Sequence, residues 1–150
     1  MNILLLGDIM GPSGRKALSE VLPEIIEKRK IDFVLVNGEN AADTGLGLTK
    51  HNFKQIIDAG ADVTTTGNHV WDEKETMHFI TNEKRLLRPD NLAEGSPGNG
   101  YGIFNSKNNK KVAVINLMGN VHMKKCDDVF LSAKTFINKI KLKKDADFIL

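Results

Sequence analysis

An α/β fold with a largely parallel sheet is the class this sequence predicts. Two observations carry the prediction: short apolar or β-branched runs alternate with stretches of helical periodicity, and the runs close on glycine followed by a polar side chain. Asn2–Gly7 is an apolar run stopped by glycine, which predicts a first strand buried on both faces. Gly11-Pro-Ser-Gly14 reads as a turn with Ser13 as a helix cap. Ala17, Leu18, Val21, Leu22, Ile25 and Ile26 then recur at helical spacing opposite Glu20, Glu24 and Lys28, an amphipathic helix. Phe33–Val36 reads as the second strand. Phe53, Ile56 and Ile57 lie on a helix that Thr49 would cap and Gly60 would end. Asp62–Thr66 is a third strand by its β-branched content. Asp72 and Glu75 have capping-box spacing ahead of Met77, Phe79 and Ile80. Residues 82–100 read as one long ordered loop, and Tyr101–Phe104 with Lys111–Asn116 as a hairpin. Phe130, Ala133, Phe136, Ile137 and Ile140 mark a last helix, and Phe148–Leu150 begins another strand. Because the chain ends inside that apolar strand, a domain continuing past Leu150 is expected.

Composition narrows the function classes. The chain of 150 residues suits one domain, with 41% hydrophobic and 27% charged residues and a net charge of +2. Charge is uneven, however: residues 1–100 carry 11 basic and 15 acidic side chains, whereas residues 101–150 carry 10 lysines and 4 acids. The lysine-rich third reads as a solvated face rather than an anion-binding patch. Cys126 is the single cysteine, so no internal disulfide forms. No apolar run approaches the ~20 residues that span a bilayer, and no leader pattern opens the chain. A soluble, cytoplasmic protein without membrane partners is the expectation.

Ligands of parallel α/β sheets bind outside the carboxyl ends of the strands, so the residues just past each strand carry the most information. Gly7-Asp8 succeeds the first, Asn37-Gly-Glu39-Asn40 the second and Gly67-Asn-His69 the third. Convergence on one edge would bring Asp8, Glu39, Asn40, Asn68 and His69 to a common point. Two carboxylates and two carboxamides form a hard-oxygen set suited to Mn²⁺, Mg²⁺ or Fe²⁺. A carboxylate between two strand-end loops can bridge paired ions, which clamp phosphoryl oxygens and activate a bound water. His69 would stand beside the metals and give a proton to a leaving oxygen or stabilise the transition state.

Asn2-Ile-Leu-Leu-Leu-Gly-Asp8, Val36-Asn-Gly-Glu-Asn-Ala-Ala42, Thr66-Gly-Asn-His-Val-Trp-Asp72, Arg85-Leu-Leu-Arg-Pro89 and Val114-Ile-Asn-Leu-Met-Gly119 occur in that order. Together they resemble the calcineurin-like metallophosphoesterases, and within them the bacterial YmdB-type branch of 2′,3′-cyclic-nucleotide 2′-phosphodiesterases. The resemblance runs from residue 2 to about residue 150. It implies an α/β/β/α sandwich, here incomplete at its carboxyl end. It also implies a dinuclear centre with Asp8 and Asn40 on one metal, Asn68 on the other, Glu39 bridging and His69 catalytic. Met10 stands where the wider superfamily has a histidine, and the histidines that complete the family's site come from loops beyond Leu150. His122 is the one spare imidazole near a strand end; His51 and His78 read as helix residues.

The expected activity is therefore metal-dependent hydrolysis of a cyclic or small nucleotide phosphodiester, with two divalent ions as cofactors. The rival readings are a non-catalytic regulator that binds nucleotide or RNA in the same cleft, and an inactive fragment whose open sheet edge promotes self-association into a homo-oligomer. Trp71 reads as packing. Arg85 and Arg88 either hold phosphate or tie down the long loop.

Overall fold

A computed structural model describes residues 1–123 and 125–150. Its strands are β1 Ile3–Leu6, β2 Phe33–Asn37, β3 Val63–Thr65, β4 Leu86–Leu87, β5 Tyr101–Asn105, β6 Lys111–Ile115 and β7 Phe148–Ile149. Its helices are α1 Gly11–Lys28, α2 Lys50–Asp58, the single turn α3 Thr76–Phe79 and α4 Val129–Lys139. Strands β1-β2-β3-β4 form one sheet, parallel throughout. Strands β5-β6-β7 form a second sheet, with β5 antiparallel and β7 parallel to β6.

The period-2 alternation of the strands builds the layers. Val34 and Val36 of β2 and Leu86 of β4 point to one face, where they pack with Leu18 and Leu22 of α1 and Phe53 and Ile56 of α2. Their neighbours Phe33, Val63 and Leu87 point the other way and meet Val112, Val114 and Phe148 of the second sheet. On that sheet's far side Ala113 and Ile149 pack against Phe136 of α4. The result is helix, sheet, sheet, helix: an α/β fold in four layers. Among the described residues no helix is long and apolar enough to cross a membrane.

Several local expectations are corrected. Strand β1 is an edge strand, and Leu5 is 58% exposed, so it is not buried on both faces. Helix α1 begins at Gly11, with Pro12 in its first turn; Met10 occupies the N-cap, so Ser13 is helical and caps nothing. Thr49 does cap α2, its Oγ1 accepting from Asn52 N at 3.1 Å, and Gly60 follows the helix at φ +117°. Asp72 and Glu75 form no capping box. The N-cap of α3 is Glu75 itself, and its Oε1 accepts instead from Lys50 N at 2.6 Å, in the first turn of α2. Residues 82–100 hold a strand, β4, whose two leucines are fully buried. On α4, Phe136 is buried but Phe130 and Ile137 are exposed, so the apolar periodicity overstates the buried face.

Candidate active site

Parallel strands all point their carboxyl ends the same way, and here backbone bonds lash those ends together. Ile9 N donates to Asn37 O at 3.0 Å and Gly11 N to Asn40 O at 2.9 Å, tying the loop after β1 to the loop after β2. Gly38 N donates to Thr65 O at 2.9 Å and Thr66 N to Leu87 O at 3.0 Å, carrying the chain of ties across β3 and β4. Asn116, just past β6, joins the second sheet to this edge. Its Nδ2 donates to Thr66 O at 2.7 Å and to Leu87 O at 3.1 Å. The edge is thus fixed at the backbone before any side chain acts.

On it the structure joins two of the five expected residues by hydrogen bonds and lays a third against the glycine that precedes a fourth. Asn40 Nδ2 donates to both oxygens of Asp8, at 3.0 and 3.1 Å. Glu39 is half-buried and lies across Gly67: a β-carbon there would stand 2.6 Å from Glu39 Cδ, so only glycine admits the carboxylate. Asn37 steadies the same residue, with its Oδ1 accepting from Glu39 N at 3.3 Å. Asn68 follows Gly67 and makes no side-chain hydrogen bond among the described residues. His69 engages none of these residues; its Nδ1 meets Asp72 Oδ2 at 2.6 Å. A carboxylate accepts, so Nδ1 carries the proton and Nε2 is the nitrogen left for other work.

The donor chemistry suits a hard cation. Asn40 Oδ1 is buried without a hydrogen-bond partner, while its Nδ2 is committed to Asp8. An unmet buried acceptor costs about 1–3 kcal/mol unless a donor or a cation reaches it. Asp8 and Asn40 together therefore offer oxygens of the kind a hard divalent ion takes. Among the described residues no three of histidine, cysteine, aspartate and glutamate cluster as a metal site.

The remaining candidates lie elsewhere. His51 and His78 are exposed on α2 and α3, and His122 sits exposed in a loop at φ +58°. Trp71 packs against the core, as expected. Arg85 lies 3.7 Å from Glu83. Arg88 donates to Pro89 O at 2.7 Å and Asp90 O at 3.3 Å, so both arginines tie the 82–100 segment. Burial lowers the Arg88 guanidinium from its ordinary value, with Asp90 opposing. A groove of about 330 Å³ opens beside Asp8 between β1 and α1, lined by Leu6, Ile9 and Leu18. Two larger grooves along α2, about 460 and 610 Å³, hold none of the strand-end residues. The Asp72 partnership with His69 is not among the sequence expectations, although a carboxylate three residues after a histidine in a turn was its signal.

The family model described as YmdB-like protein matches residues 4–150. The chain belongs to the YmdB-like family. It is 44% identical over 137 residues to a 2′,3′-cyclic-nucleotide 2′-phosphodiesterase of Bacillus subtilis, covering 91% of this chain and 51% of that protein. A solved phosphatase structure from Mycoplasma pneumoniae superposes with a TM-score of 0.87 at 31% identity, over 99% of this chain and 53% of that one. A hypothetical protein from Thermus thermophilus gives the same TM-score and identity, over 99% of this chain and 56% of its own. The YmdB-like chain thus spans about half the length of the relatives it matches.

Proposed function

We propose that this chain carries the amino-terminal part of a metal-dependent phosphodiesterase site acting on cyclic or small nucleotides. The observation that supports it is the Asp8–Asn40 contact, with the carboxamide oxygen of Asn40, the residue after Glu39, buried and without a partner. The name of the Bacillus subtilis relative supports the substrate class. Asp8 and Asn40 would hold one divalent ion of iron, manganese or magnesium, Asn68 the other and Glu39 both; such ions would supply Lewis acidity toward phosphoryl oxygens and bound water. Around them the protein's own groups do the rest. Gly38 and Gly67 leave room where a β-carbon would meet Ile56 and Thr64, or the Glu39 carboxylate, so the loops after β2 and β3 pack closely at the strand ends. His69, oriented through Asp72, presents Nε2 to a phosphoryl or leaving oxygen; as the imidazolium, with both ring nitrogens protonated, it would donate a hydrogen bond or a proton there.

The test is elemental analysis after re-equilibration with Mn²⁺, together with hydrolysis of 2′,3′-cyclic AMP with and without chelator. Glu39→Ala is expected to lose metal and turnover together. His69→Ala should keep its metal and lose about 10²- to 10⁴-fold in turnover. Full turnover in Glu39→Ala would sink the scheme. Nucleotide binding that survives chelator without turnover would favour a non-catalytic binding protein.

A further inference from the structure

Arg15 is a charged side chain only 11% exposed, one turn into α1 and outside every motif singled out from the sequence. Its guanidinium makes bonds in three directions. Nε donates to Gln55 Oε1 of α2 at 2.8 Å, NH2 pairs with Asp43 Oδ1 at 2.6 Å, and NH1 donates to the carbonyl of Ala41. Two of the three partners lie on the loop that carries Glu39 and Asn40.

Backbone bonds tie that loop on its Asn40 side, Gly11 N to Asn40 O and Gly38 N to Thr65 O. It belongs to no helix or strand, and Ala41 and Ala42 are fully buried within it. Ala41 N and Ala42 N are bonded to Gly38 O and Gly47 O. The Ala41 carbonyl, one residue past Asn40, has the Arg15 guanidinium as its partner among the described residues. A buried carbonyl left unpaired would move toward water, and Asn40 would move with it. Asn40 must instead hold its Nδ2 on Asp8 and its Oδ1 free. Arginine suits this position because its rigid fork reaches a neighbouring helix, a carboxylate and a carbonyl at once, which a lysine ammonium on a flexible stem does not.

We infer that Arg15 is a positioning residue for the metal-binding loop, setting the Asn40 carboxamide and the Glu39 carboxylate through the Ala41 carbonyl and Asp43. This rests on the metal-site reading above, and the experiment separates the two. Mn²⁺ affinity is measured by electron paramagnetic resonance for the wild type, Arg15→Met and Gln55→Ala, and the Asn40 side-chain amide is followed by NMR without metal. Arg15→Met is expected to weaken Mn²⁺ binding about 10- to 100-fold and to shift the Asn40 amide resonances even in the metal-free chain. Gln55→Ala removes the contact to α2 but not those to the loop; it should lower the melting temperature while leaving both readouts at wild-type values. Should Arg15→Met fail to fold, Arg15→Lys replaces it, with an intermediate loss of affinity. Wild-type affinity and unshifted Asn40 resonances in the Arg15 variant, beside a wild type that binds Mn²⁺, overturn the positioning role and leave the metal site standing. A wild type that takes up no Mn²⁺ overturns both.

Discussion

At the scale of single residues the site depends on what is small as much as on what is charged. Gly67 has no β-carbon, and the Glu39 carboxylate occupies the space one would fill. Gly67→Ala is therefore expected to displace Glu39 and lower Mn²⁺ uptake at little cost in stability, because the end of a flexible side chain swings aside. Chemical denaturation and elemental analysis check the two effects, and unchanged metal content would show that Glu39 is not a ligand. The pattern of glycine then polar residue at successive strand ends made Asp8, Glu39, Asn40, Asn68 and His69 legible in the sequence. Their supports were not legible, because each comes from a distance or from a competing local motif. Asp72 matched capping-box spacing with Glu75, yet bonds to His69, which lies three residues earlier. Arg15 reaches its loop across 26 residues of chain.

Whole elements show which signals a sequence carries. Strands β2 and β6 each hold four consecutive apolar residues, and both were legible. Strand β4 has two residues between Arg85 and Arg88, too short for any period, so it passed as loop. Its place in the sheet comes from pairing with β3, Thr64 to Leu86 and Thr65 to Leu87, which is a tertiary effect. Both leucines are fully buried, Leu86 toward α2 and Leu87 toward the second sheet. Leu87→Ala should therefore cost about 2–5 kcal/mol, as in any well-packed core. A loss below about 1 kcal/mol in urea unfolding would place residue 87 in a surface loop instead. Strand β1 shows the opposite error. An all-apolar run predicts burial on both faces, but run composition says nothing about sheet order, and β1 falls at the edge with Leu5 exposed.

Across the whole molecule the two sheets meet through an apolar layer but are pinned by polar groups at both ends of the strands. At the site edge Asn116 spans from β6 to the carbonyls after β3 and β4. At the far edge the hairpin between β5 and β6 closes on the first sheet, with Lys107 N donating to Asp32 O at 3.0 Å. Asp62, just before β3, lies at that end, its Oδ2 accepting from Val34 N at 2.7 Å. Burial raises the Asp62 carboxyl above its ordinary 3.8; the Val34 N–H and the positive charges of Lys107 and Arg85 pull it down by less. The folded chain therefore holds this proton more tightly than the unfolded chain does. Below pH 3.8 both states are protonated and Asp62 costs nothing. As pH rises from there through the raised folded value, its contribution turns unfavourable, and that penalty is complete once the pH has passed the folded value. Asp62→Asn removes the charge and keeps a side-chain oxygen for Val34 N. It is expected to be at least as stable as the wild type at neutral pH, with any advantage shrinking as pH falls toward 4. Urea midpoints at several pH values check this. A variant that is weaker at neutral pH and recovers in acid would show that attraction from Lys107 and Arg85 outweighs burial, and that the sheets are held at this end by charge.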